Sequence, residues 1–432
     1  MSNTTSAPTI TGKISAEPNP VPFAQKGVLI SWKTNDPAGA EIRVSTSPGE
    51  EKLVSRGQSG QIDIDWIAGS AIYDFRLYAA SQPTMPIDSV EVRRDFASVP
   101  LILHALADAV LRGNIDTAEL AQFIARVVPH CLQSKEFREI FRIWERKGFH
   151  VTPVHFYQPI PNTQNLPEAL WDKPSELVGV DMNESTQLDL LRKHFPGFRN
   201  EYERFPIEPA GKLNHLNLNN GLFSGTDALI AYCMVRHFQP RLIVEIGSGF
   251  SSLFLGEAAA KNNRSAIICI EPFPREFLRQ GFPGLERLIE KKVEDIDLEF
   301  FSQLQSGDIL FIDSSHTVKI GGDVNYLFLE VLPRLKPGVI VHIHDIFLPY
   351  EYRQDWVTNR FRFWNEQYLL QAFLTFNSEF EVLMANRFLS HRYLGDLKDA
   401  FPSLKKLEAT FPNSVGWGGG SFWMRRRPAT AG

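Results

Sequence analysis

RLIVEIGSGFSS, the stretch from Arg241 to Ser252, decides how this 432-residue chain is read. Ile243, Val244 and Ile246 enclose one acid, Glu245, and the run stops at Gly247-Ser248-Gly249. Helical periodicity follows from Ser251 to Ala260. An apolar run that ends at glycines and passes into a helix reads as buried strand, tight turn and helix. Glycines there let the backbone approach a ligand, and the helix start offers free N–H groups. The acid restricts the ligand. Its charge repels a phosphate and tolerates a cationic amino-acid head group. The rival is a dinucleotide turn, G-x-G-x-x-G, but its third glycine position is Ser252 here.

Further strands follow. Ala266–Ile270 ends at Glu271, 22 residues past Gly249. In doubly wound sheets an acid at that strand end accepts hydrogen bonds from ribose hydroxyls. Leu288 to Val293 reads as a short strand before Glu294-Asp295. Asp308 to Ile312 ends at Asp313, followed by Ser314-Ser315-His316; Val339 to Ile343 ends at His344-Asp345. Ligands of open α/β sheets bind at the carboxyl ends of the strands, so these residues converge on one edge. Two more strands are expected, over Phe380–Met384 and Gly418–Arg425.

The E-x-G-x-G turn resembles the first motif of class I S-adenosylmethionine-dependent methyltransferases, and the likeness runs from about Phe223 to Arg426. It implies a doubly wound, mostly parallel seven-stranded α/β sheet closing with an antiparallel strand. A nicotinamide enzyme would need more chain for a substrate domain. The resemblance implies S-adenosyl-L-methionine as cofactor. It would be held by Glu245, Gly247, Ser248, Gly249, Glu271 and Asp313, with Asp295 at the adenine and Phe223-Ser224 against the methionine end.

Methyl transfer needs a placed nucleophile and often a base. Catechol-type O-methyltransferases, which this region resembles, hold a divalent ion with acids and an amide at the fourth and fifth strand ends. Asp313 and Asp345 match two positions; His344 stands where a second acid is usual. Imidazole suits softer ions than magnesium, so the expected metal set is Asp313, His344 and Asp345, with the ion's identity open. His316 lies three residues past Asp313, at the spacing where that family places its basic lysine. With an ordinary pKa near 6.5, it is the first choice of base and His344 the second. Polar packing at strand ends is the bland alternative. His342 is expected to be buried and neutral. Phe347-Leu348-Pro349-Tyr350-Glu351-Tyr352, then Trp356, Arg362, Trp364, Asn365, Glu366 and Tyr368, follow the fifth strand as a candidate acceptor pocket, with aromatic faces that suit sugar rings.

The rest of the chain has other textures. Residues 8–97 alternate in short runs, as at Gly27–Thr34, Ala40–Ser45, Ile62–Trp66 and Tyr73–Tyr78, which predicts an all-β sandwich. Trp32 and Tyr73 give it a weak resemblance to fibronectin type III or immunoglobulin-like domains. It reads as a spacer or as a glycan- or protein-binding module. Residues 98–148 read as a helical connector: Leu101–Leu111, a helix capped by Asp116 with Glu119 at the third position, and Lys135–Lys147. Residues 149–220, with the proline-rich run His155–Asn162, read as a lid before the catalytic domain of 221–427. Asp227 opens the helix before the first long strand, where an acid suits the dipole.

A formal net charge of −5 and the lack of a basic stripe argue against nucleic acid. Cys131, Cys233 and Cys269 are scattered among apolar residues, without metal spacing. No signal-like start and no run of ~18 apolar residues suggest a cytoplasmic protein. The expected function is methyl transfer to oxygen of a small-molecule or glycan acceptor. The alternative is a non-catalytic glycan- or protein-binding protein that retains a methyltransferase-like domain.

Overall fold

The computed structural model describes residues 9–22, 25, 27–46, 50–67, 72–95, 107–113, 115–208, 216–411 and 417–428. It divides into two compact units, Met1–Thr152 and Pro153–Gly432.

The first unit holds an all-β domain. β1 (Gly12–Glu17), β3 (Val28–Thr34) and β6 (Ser59–Ile64) form one antiparallel sheet. β5 (Lys52–Gly57), β4 (Ala40–Ser45), β7 (Tyr73–Ala79) and β8 (Gln82–Val92) form another. β2 (Val21–Pro22) and β9 (Arg94–Asp95) form a short parallel pair. Alternation decides the faces: Val28, Ile30 and Trp32 of β3 join Ile42 and Val44 of β4 and Phe75 and Leu77 of β7 in one apolar cluster. β1, β5 and β8 carry mixed patterns that sequence reading left unassigned. Two helices follow, α1 (Thr117–Gln133) and α2 (Phe137–Arg146). Asp116 caps α1 by accepting the Ala118 N–H at 3.0 Å. Of the helix expected over 101–111, residues 101–106 lie outside the described residues and 107–111 are helical.

The second unit is built on a seven-stranded sheet. Its strands are β10 (Leu242–Ile246), β11 (Ala266–Ile270), β12 (Leu285–Ile289), β13 (Ile309–Ile312), β14 (Ile340–Ile343), β15 (Phe380–Ala385) and β16 (Phe422–Arg426). They lie in the order β12-β11-β10-β13-β14-β16-β15, and β16 runs antiparallel to both neighbours. The central strands are apolar on both faces because both are covered. Ile243, Ile309, Phe311 and Trp423 pack with α3 (Gly225–Phe238) and α4 (Phe250–Asn262). Val244, Leu310, Ile312 and Val341 pack on the opposite side, with α5 (Glu366–Leu374) among their partners.

Three strand bounds differ from the sequence reading by more than a residue: β6 spans Ser59–Ile64 where the sequence predicts Ile62–Trp66, and the other two lie in this sheet. β12 ends at Ile289, and Val293 opens a short 3₁₀ turn. β12 is an edge strand with polar residues, so apolar content alone fixes its position weakly. β16 starts at Phe422 because the preceding glycines wrap a buried carboxylate instead of pairing. Trp423 is fully buried against Phe311 and His342. Trp423→Ala is expected to destabilise the protein by about 3–5 kcal/mol, read as a lower urea midpoint of the intact chain.

Candidate active site

Parallel strands in register deliver their ends side by side. Ile246 pairs with Ile270 and with Ile312, and Ile312 with Ile343. The next residues therefore meet: Gly247, Glu271, Asp313 and His344. Gly247 has φ +76°, and a Cβ on it would lie 1.8 Å from the Asp313 carbonyl oxygen. Only glycine lets these two strand ends approach so closely. Around Gly249 that space is open, with nothing within 4 Å of an added Cβ. Glu271 holds the turn from the next strand, accepting the Ser248 N–H at 3.2 Å and the Phe273 N–H at 2.7 Å.

Glu245 faces inward. It is fully buried and accepts from the hydroxyls of Ser251 (2.7 Å) and Ser252 (2.6 Å) and from the Cys269 thiol (3.3 Å). It braces the start of α4 rather than lining the open edge. Asp295 is exposed, one turn beyond β12.

On the other half of the edge, acids and imidazoles share a pocket. His316 has a left-handed φ of 57° and is almost fully buried. Its Nδ1 meets Glu366 Oε2 at 2.9 Å, while Nε2 lies 3.3 Å from Asp313 Oδ1 and 3.5 Å from Asp345 Oδ2. Trp364 covers the ring. His344 Nδ1 lies 3.4 Å from Asp313 and 3.8 Å from Asp345; its Nε2 lies 3.5 Å from Asp227. Asp227 in turn accepts from Gly420 N (2.9 Å), Ser421 N (2.8 Å) and Asn386 Nδ2 (2.8 Å). Added at Gly419, a Cβ would sit 2.5 Å from Asp227 Oδ1, so the glycine run admits that carboxylate. His342 is buried, stacks on Phe311 and contacts the Ser421 hydroxyl; burial and then the nearby His344 push its pKa well down.

Electrostatics follow this layout. Burial opposes charge on His316, but Asp313, Glu366 and Asp345 outweigh it and hold the imidazolium to about 10. Burial likewise opposes charge on His344, and Asp313, Asp345 and Asp227 raise it well above the usual value. Asp313 is kept ionised against burial by His344 and His316. Among the described residues, Asp313, His316 and Asp345 have ligand atoms all within 4.8 Å of one another. His316 thus joins the two acids as a third ligating group, its ring turned inward by a left-handed backbone and by Glu366, while His344, the histidine that the family resemblance placed with them, lies 3.4 Å and 3.8 Å from the same acids. The sequence marked Glu366 only as part of the candidate acceptor insert and Asp227 only as a helix-start acid, because one lies 50 residues past His316 and the other on a helix upstream of the sheet.

The methyltransferase-domain family matches residues 244–346, from β10 through the acid after β14. An uncharacterized protein of Archaeoglobus fulgidus is 37% identical over 167 residues, which cover 36% of this chain and 75% of that one. Residues 244–346 thus carry a methyltransferase domain. A crystal structure of a candidate methyltransferase from Thermobifida fusca YX is 14% identical and covers 61% of this chain and 98% of its own, with a TM-score of 0.25, too loose a likeness to bear on the fold. Among the described residues no helix is long and apolar enough to cross a membrane.

Burial pushes Glu245 up to about 7 against its three donors. A raised carboxyl pKa stabilises the fold below the ordinary value of about 4.5 and loses that contribution as pH rises through about 7. Glu245→Gln removes the loss. Its stability relative to the wild type is therefore expected to improve by about 3 kcal/mol between pH 4.5 and 8. Urea titrations of both proteins at the two pH values check this; a difference that does not change with pH contradicts it.

Proposed function

We propose that this chain transfers a methyl group from S-adenosylmethionine to an oxygen of a small-molecule or glycan acceptor. The observation that carries the reading is the division of one strand edge. An open glycine turn with Glu271 lies on β10 and β11, beside a buried acid–imidazole cluster on β13 and β14.

The turn fits the cofactor. Gly247 and Gly249 give backbone access, Ser248 and Glu271 line the same step, and Glu271 would accept from ribose hydroxyls. When bound, S-adenosylmethionine supplies an electrophilic methyl on a sulfonium. Asp313, His316 and Asp345 would hold a divalent cation, which supplies Lewis-acid polarisation of an acceptor hydroxyl. Glu366 on Nδ1 matches the carboxylate–histidine arrangement that orients ligating imidazoles. Without an ion, His316 is an imidazolium below about pH 10 and His344 is likewise held protonated, so His316 Nε2 first, and His344 second, would take the hydroxyl proton only after losing their own. Asp295 at the adenine and the lid of residues 149–220 belong to the same reading. Three strands facing four support a fibronectin type III-like sandwich that serves as spacer or as a protein or glycan contact.

Calorimetric titration with S-adenosylmethionine tests the cofactor: wild type binds, and Glu271→Ala binds about 1.5–3 kcal/mol more weakly. Unchanged affinity in the variant removes Glu271 from the site. Titration with Mn²⁺ tests the ion: Glu366→Gln is expected to weaken it by about 10–100-fold and to leave cofactor affinity unaltered. Absence of Mn²⁺ binding to the wild type leaves His316 acting alone.

A further inference from the structure

A cavity of about 300 Å³ opens beside the acid–imidazole cluster, large enough for a small ligand. Its lining carries both signs of charge: Asp227, His344 and Asp345 on one hand, Arg353 and Arg360 with the ring of Trp356 on the other. The arginines belong to a larger group. Arg353 and Arg360 share one acid, Asp355, at 3.0 Å and 3.4 Å. Arg362 stacks over Trp356 and Trp364 at 5.1 Å and 5.0 Å, and Arg387 over Tyr350 at 5.1 Å. Neither Arg362 nor Arg387 has a carboxylate within ion-pair distance among the described residues. The Nε of Arg387 is buried and unpartnered.

Two guanidiniums on one carboxylate, with two more held over aromatic rings, stand out in a chain of net charge −5. Aromatic faces hold a cation in place without neutralising it. A desolvated guanidinium that lacks an acid costs stability unless an anion arrives. Burial, and beside it the charge of Arg353, already lower the pKa of Arg387. Guanidinium forks match carboxylate and phosphate oxygens in pairs.

We infer that the acceptor is an anionic hydroxylated small molecule. Arg353 and Arg360, backed by Arg387, take its carboxylate or phosphate, while its hydroxyl reaches the side of the cavity formed by His344 and Asp345. This rests on the methyl-transfer reading above and narrows its substrate class. It also gives the acceptor a direction: a neutral sugar would leave the arginine side unmatched.

The test uses the full chain saturated with S-adenosylhomocysteine, in a buffer free of oxyanions. Inorganic phosphate and benzoate are titrated separately by calorimetry. At least one is expected to bind saturably and to weaken with added salt, and the tighter of the two identifies the native group. The double variant Arg353→Gln/Arg360→Gln is expected to lose about 10–100-fold in that affinity and to keep its affinity for S-adenosylhomocysteine. Both sites are surface-accessible, and retained S-adenosylhomocysteine binding reports a folded domain. Lack of saturable binding by either anion, or equal binding by the double variant, overturns the inference. Failure of S-adenosylhomocysteine to bind the wild type overturns the cofactor reading instead.

Discussion

One buried carboxylate ties the second unit together. Asp227 sits in the first turn of α3 and accepts from the backbone where β16 begins, from Asn386 where β15 ends, and approaches His344 at the end of β14. Four elements distant in sequence meet at one charge. Such a charge is tolerable in the interior only with its hydrogen bonds made. The glycine run before β16 follows from that need, since a side chain at Gly419 would strike the carboxylate. The antiparallel closing strand and the acceptor end of the sheet edge are thus fixed by the same interaction.

The edge is electrostatically divided. Toward β10 and β11 it offers backbone and a single accessible acid. Toward β13 and β14 it concentrates Asp313, Asp345, Asp227 and Glu366 around two imidazoles, all at least partly withdrawn from water. Beyond β14 the arginine group reverses the sign. Positive and negative groups lining one cavity orient a polar ligand before any reaction, which is the condition for positioned chemistry.

The fold was legible because its signals are local. Apolar runs ended by glycine or by a strand-end acid mark β10, β11, β13 and β14 within a residue or so. The edge strand β12 and the mixed strands β1, β5 and β8 were not so marked, since half-exposed strands carry little apolar pattern. Asp313, His316, His344 and Asp345 could be named from sequence because each closes or follows a recognisable strand. Glu245 was also visible, but only the structure shows that two hydroxyls and a thiol enclose it.

Sequence by itself determined the strongly apolar strands of the second unit and which side chains stand at their ends, because strand period and turn chemistry act over a few residues. Tertiary structure decided which of those side chains face one another. Glu366 came to His316, Asp227 to the glycine turn of β16, and Arg387 to the neighbourhood of Arg353, across separations no periodicity encodes. It also decided that His316 joins His344 in facing Asp313 and Asp345, since a left-handed backbone and a carboxylate 50 residues away set the orientation of its ring. Contacts of this kind depend on how helices and strands pack around the sheet, and packing is a property of the folded chain as a whole.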